Sequence, residues 1–140
     1  MGPSRRRVTL SRIAKQVLAA SLALTLLLSG TSLAATTYPT SLGFKASDHS
    51  ITKGQKVVFK GKLKSPFAKC KKFSTVKLYR NGQVVGTKTT SSTGKYKFVK
   101  HPKKTRTWQV RFGGKTGGVH PNQFACAKSR SKKIKVKVTS

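Results

Sequence analysis

One acidic residue, Asp48, stands in the 140 residues of this chain, and His49 follows it directly. Hydrolytic chemistry asks for more than that. Glycosidases need paired carboxylates, and triads need an acid that orients a histidine. The chain has no glutamate, and adjacent residues on an extended segment point to opposite faces, so Asp48 is badly placed to orient His49. His101 and His120 each precede a proline in turn-like breaks. A triad assembled from loops finds ample serine but no supporting pattern. Asp48, His49, His101 and His120 lack the short internal spacings of a metal-ligand set and read as scattered surface residues. The run GGKTGG, residues 113–118, lacks the G-x-x-x-x-G-K-[ST] order and a following helix. It reads as part of a long flexible loop, GGKTGGVHPNQ. These residues point away from an enzyme, and imply no cofactor, no metal and no small-molecule substrate.

Cys70 and Cys126 are the only cysteines. The economical reading is one disulfide, as expected of an exported chain. Two free thiols or half of a metal site are the competing readings, and no C-x-x-C is present to favour zinc. A bridge across 56 residues is worth about 4 kcal/mol in the chain-entropy picture.

The remaining chemistry is positive charge. The whole chain carries a formal charge of +30. Residues 35–140 hold 26 basic residues against one acid, a charge of +25, and 22 of the 26 are lysine. Like charges two residues apart on a strand repel by about 0.6 kcal/mol in water, and salt reduces this. A surface selected for solubility alone would mix glutamate with lysine, so the absence of acid suggests an anionic partner. Lysine in place of arginine argues for diffuse, salt-sensitive attraction instead of base or bidentate phosphate readout. The aromatics, Tyr79 excepted, fall at inward positions, which leaves no exposed stacking platform for single strands. The candidate contact residues are Lys60, Lys62, Lys64, Lys71, Lys72, Lys95, Lys97, Lys103, Lys104, Lys132, Lys133, Lys135 and Lys137.

What must position these lysines is a set of strands with period two. In KVVFKGKLK, residues 56–64, Val57, Phe59, Gly61 and Leu63 share one face and lysines dominate the other. TVKLYR, Thr75–Arg80, and QVVGTKT flank Asn81-Gly82, the strongest short hairpin signal, because a type I′ turn needs positive φ twice. SSTGK is a second turn, with Gly94 free to go left-handed. KYKFVK directs Tyr96 and Phe98 inward, and HPKK breaks the chain again. TRTWQVRF, residues 105–112, aligns Trp108, Val110 and Phe112 against Thr107, Gln109 and Arg111. KKIKVKV, residues 132–138, directs Ile134, Val136 and Val138 inward. SPFAKCKKFS reads as a loop. Helical spacing of useful length is absent after residue 35. About seven short strands with regular turns give an all-β, antiparallel β-sandwich, with a small closed barrel as the alternative. Trp108 is the expected core centre, against Phe59, Leu78 and Phe98.

The first 34 residues differ in kind. Arg5, Arg6, Arg7, Arg12 and Lys15 precede the apolar block Val17–Leu28, and Ser32-Leu33-Ala34 fits a small-x-small cleavage rule. This is the layout of a secretory signal peptide, and the block is too short for the roughly 20 apolar residues of a membrane span. SRRRVTL is only faintly like a twin-arginine signal. The expected organisation is a signal peptide at 1–34, a leader or edge segment at 35–47, and one domain at 48–140, secreted and extracellular or cell-wall associated.

GQKVVFKGKLK, VKLYRNGQVVGT, TTSSTGKYKF, TWQVRFGG and KKIKVKV are similar in order and spacing to single bacterial immunoglobulin-like or fibronectin III-like modules. Exported proteins of Gram-positive bacteria, actinobacteria included, carry such modules. STGKYKF also resembles a turn-strand step of carboxypeptidase-regulatory-like sandwiches. The resemblance covers roughly residues 48–138. It implies an immunoglobulin-like sandwich and carries over no active site. The cysteine positions depart from antibody domains, since a Cys70–Cys126 bridge would tie loops at one end of the sandwich.

The expectation is a secreted, non-enzymatic module that binds an anionic polymer or surface, such as a cell-wall glycan, an anionic lipid or nucleic acid read non-specifically. The alternative is an adhesion or accessory module that binds a protein, with the charge incidental; edge lysines also discourage strand-to-strand aggregation with no ligand at all. A cationic toxin fares worse, because the mature chain lacks an amphipathic helix to enter a bilayer.

Overall fold

The computed structural model describes residues 34–140; the expected signal peptide lies, apart from Ala34, outside the described residues. Alternation sets the strands. Seven have six residues or more: β2 (Ser41–Ala46), β4 (Val57–Lys64), β5 (Thr75–Arg80), β6 (Gln83–Thr89), β7 (Lys95–Lys100), β8 (Arg106–Phe112) and β12 (Ile134–Thr139). Five are short: β1 (Thr36–Tyr38), β3 (Ser50–Thr52), β9 (Lys115–Gly117), β10 (Phe124–Cys126) and β11 (Ser129–Arg130).

One sheet runs β2-β4-β7 and the other β3-β12-β8-β5-β6, with β11 paired to β8. In immunoglobulin lettering these are A-B-E and A′-G-F-C-C′, so the strand order itself identifies an immunoglobulin-like β-sandwich. Except for the parallel β3–β12 pair, the pairs within these two sheets are antiparallel. The faces turned toward each other bury Phe44, Val57, Phe59, Leu63, Tyr96 and Phe98 from the first sheet. From the second come Val76, Leu78, Trp108, Val110, Phe112, Ile134 and Val136. Phe59 and Trp108 meet across the layers with ring centroids 4.8 Å apart. Trp108 thus sits where the periodicity puts it, though on strand F instead of the strand C position of antibody domains.

The turns follow their chemistry. Asn81 and Gly82 take φ of 48° and 83° between β5 and β6, the two positive angles of a type I′ hairpin. Gly94, with φ of 86°, turns the chain into β7.

Three segments differ from the sequence reading. SPFAKCKKFS contains one helical turn, α1 (Ala68–Lys71), too short to leave a periodic signal. GGKTGGVHPNQ is not loop throughout: its Lys115–Gly117 forms β9, which pairs antiparallel with β10, and β1 joins β10 in parallel to make a third small sheet. Gly117 works by close approach, since a Cβ there would stand 2.7 Å from the Phe124 ring. Phe73, expected inward with the other aromatics, is 66% exposed with φ of 47°, because the chain reverses there after α1.

Cys70 and Cys126 form a disulfide, Cα–Cα 5.6 Å. It joins α1 in the B–C connection to the end of β10 in the F–G connection, so it ties one end of the sandwich, as expected. The two anchoring pieces are ordered elements instead of loops. Lys115 Nζ reinforces the tie by donating to the carbonyls of Lys69 and Lys72 at 3.1 and 3.0 Å.

Candidate functional site: lysine rows on the A-B-E sheet

Outward positions on β2, β4 and β7 fall into register. Lys45, Lys60 and Lys97 are Cα partners in one row across the three strands. Lys62 and Lys95 are partners in the next, with Gly43 beyond Lys62. Lys64 follows, opposite Ser41. Rows lie about 7 Å apart along the strands and their members about 4.8 Å apart across them. These side chains, with Lys88 from β6, line a groove of 820 Å³ on the outer side of the sheet, and Thr89 and Ser91 complete its rim.

Register makes this arrangement costly. Like charges directly opposite one another on a sheet are destabilising by up to about 1 kcal/mol per pair. Nothing relieves it: the single acid, Asp48, accepts from the Ser47 hydroxyl at 2.8 Å and pairs with no lysine of the rows. Among the described residues, none of the row lysines donates its ammonium to a protein acceptor. Lys100 and Lys115 behave otherwise, giving theirs to backbone carbonyls. The row ammoniums are therefore free to meet an anion.

The sheet that carries the rows is held by a tie between strands. Tyr96 reaches from β7 beneath Gly61 and donates its hydroxyl to the Gly43 carbonyl of β2. Burial pushes the Tyr96 phenol well above its ordinary pKa.

Of the sequence candidates, Lys60, Lys62, Lys64, Lys95 and Lys97 share this face. Lys71 adjoins its end, since its Cβ lies 3.3 Å from where a Cβ on Gly94 would stand. Lys72 sits at the far end of α1. Lys103 and Lys104 lie in the β7–β8 connection. Lys132 and Lys133 lead into β12, and Lys135 and Lys137 lie on it, on the opposite outer face of the sandwich. There they are diluted by neutral partners, Thr107 beside Lys135 and Ser50 beside Lys137. So thirteen candidates resolve into separate groups, of which one is dense. Sequence reasoning missed Lys45 and Lys88. Lys45 was legible as the outward neighbour of buried Phe44, on the strand that pairs with β4. Tyr79, the aromatic read as an exception, points outward but is occupied by Arg111, whose guanidinium lies 4.1 Å over its ring.

Asp48, His49, His101 and His120 do not assemble. His101 Nδ1 lies 3.2 Å from the Gly54 carbonyl, and among the described residues no three His, Cys, Asp or Glu side chains gather as metal ligands do. No described helix is long and apolar enough to cross a membrane.

No family model matches the sequence, and no curated protein matches it. Among solved structures the chain is similar to the CARDB domain of a Pyrococcus furiosus protein in complex with di-metal ions. The identity is 13% and the TM-score 0.41, covering 72% of this chain and 91% of that one. It is also similar to a conjugative transposon lipoprotein from Bacteroides eggerthii, with 13% identity and a TM-score of 0.38, covering 68% of this chain and 98% of that one. The fold assignment rests on the strand order above: this chain is an immunoglobulin-like β-sandwich.

Proposed function

We propose that the protein is a secreted, non-enzymatic immunoglobulin-like module that holds anionic polymers or surfaces by charge, through the outer face of its A-B-E sheet. The observation that carries the reading is the pair of lysine rows, Lys45-Lys60-Lys97 and Lys62-Lys95, in register with no acid to offset them. A ladder of cations at strand spacing complements a chain of regularly spaced negative groups without reading their order. Lysine suits that use, because a hydrated point charge makes loose contacts where arginine makes fixed ones. The Cys70–Cys126 bridge supports a location outside the cytoplasm, where disulfides persist, in keeping with the signal-like first 34 residues. A cell-wall glycan bearing phosphates, an anionic lipid surface and nucleic acid all present the required charge.

The test is retention on immobilised polyphosphate and on isolated cell walls across a salt gradient. The expected result is release as salt rises, with earlier release for Lys60→Gln/Lys62→Gln/Lys97→Gln. Retention that survives high salt, with that variant unchanged, would mean a protein partner recognised through loops or a sheet edge.

A further inference from the structure

At the end of the sandwich remote from the disulfide, two arginines stand on core-facing register positions. Arg80 follows buried Leu78 by two residues on β5, and its Cα partner on β8 is Trp108. Arg106 precedes Trp108 by two residues on β8, and its partner on β12 is Val136, which is fully buried. Alternation would ordinarily place apolar residues at both sites. Instead these two, with Lys103, Lys104 and buried Pro102 from the β7–β8 connection, line a cavity of 150 Å³ whose inner wall is Trp108.

Trp108 marks the inner end of this cavity. The ring is 2% exposed, and its Nε1 is the one buried side-chain polar atom among the described residues with no hydrogen-bond partner. An unpaired buried donor carries a desolvation penalty that nothing offsets. Because Trp108 lines the cavity, its indole N–H reports on what the cavity holds. Among the described residues, none of the four cationic side chains around the cavity donates to a protein group. Arg111, outside it, is by contrast engaged with Gln109 and Tyr79.

We propose that this cavity binds one tetrahedral oxyanion, a phosphate or sulfate group. Arg80 and Arg106 offer guanidinium forks suited to such a group; Lys103 and Lys104 add charge at the rim, and Trp108 closes the inner end. The site differs in kind from the lysine rows: it is compact and arginine-based, with Arg106 half-buried and Arg80, Lys103 and Lys104 exposed around its mouth. It stands independently of them. The structural alternative is that the arginine stems merely cover the end of the core.

The chain has a single tryptophan, so one indole N–H resonance reports on the site. It is followed by NMR in the ¹⁵N-labelled protein, titrated at constant ionic strength with inorganic phosphate, sulfate, glycerol phosphate or chloride. The expected result is a saturable shift with the oxyanions and none with chloride. Inorganic phosphate against glycerol phosphate separates a free ion from a monoester as the preferred source. Arg80→Gln and Arg106→Gln should each weaken the oxyanion at least about tenfold, the worth of a charged hydrogen bond. Should either fail to fold, Arg80→Lys and Arg106→Lys keep stem and charge but lose the fork, and should weaken it about fivefold. Lys103→Gln, in an exposed connection, gives a milder loss of about threefold. An indole resonance unmoved by phosphate and sulfate, moved equally by chloride, or moved equally in the arginine variants would overturn the proposal. None of these outcomes bears on the lysine rows, which are probed by the salt dependence of polyanion binding.

Discussion

Gly61 stands in the middle of β4 without a left-handed backbone angle, so its neighbours set its identity. A Cβ there would collide with the Gly43 carbonyl and the Tyr96 hydroxyl, and would lie 2.7 Å from Tyr96 Cζ. All of these belong to the tie that fixes β2 and β7 about β4. Gly61→Ala is therefore expected to cost about 2 kcal/mol or more, as overpacking does, read from denaturant midpoints; a loss within a few tenths of a kcal/mol would mean that the tie yields easily. Tyr96 makes a pH prediction at the same spot. Burial raises its folded pKa above the ordinary 10.0, so the folded chain keeps a proton that the unfolded chain releases. The resulting stability is whole below pH 10 and drains as pH climbs through the folded value. Wild type should thus lose stability above pH 10 faster than Tyr96→Phe. Parallel pH profiles for the two proteins would contradict this.

The elements divide by length in how plainly the sequence shows them. β4, β5, β7, β8 and β12 each alternate over six residues or more, enough to fix both strand and inward face. Asn81-Gly82 and Gly94 mark their turns by the backbone angles they permit. β1, β3, β9, β10 and β11 are two or three residues long, and the partners of β1 and β3 lie far away in sequence; Thr36 pairs with Phe124, for example. Periodicity has no room to develop in so few residues. Gly117 was misleading for a different reason: its missing side chain makes space for the Phe124 ring instead of freedom for a loop. Of the site, the outward lysines were legible and their rows were not, because register depends on which strands become neighbours. Arg80 and Arg106 were legible as inward positions by simple counting from Leu78 and Trp108. The disulfide belongs to this scale also, since it ties α1 to β10. Cys70→Ser/Cys126→Ser should cost about 4 kcal/mol and release the β1-β10-β9 sheet first. Hydrogen exchange should show β9 and β10 losing protection before β4 and β8 do; uniform loss would mean that the bridge supports the whole sandwich instead.

For the whole molecule, the dominant physical fact is charge without compensation. Residues 35–140 carry +25, and part of it is arranged in opposed rows that work against the fold. Stability and binding should therefore respond to the lysine rows in opposite directions. Lys60→Gln/Lys62→Gln/Lys97→Gln relieves like-charge pairs and should raise stability by about 0.5–1 kcal/mol at low salt, measured by thermal unfolding. A destabilised variant would show that the rows support the sheet. The same substitution gives the most direct test of the central claim. Affinity for polyphosphate is measured over a series of salt concentrations, and its logarithm is plotted against the logarithm of salt. For the wild-type protein the slope should be steep and negative. The triple variant on β4 and β7 should flatten it by about 2–3, one released counterion for each lysine removed. Lys133→Gln/Lys135→Gln/Lys137→Gln, on the opposite face, should flatten it less. A slope near zero, or one that the β4 and β7 variant leaves unchanged, would contradict binding through the A-B-E face.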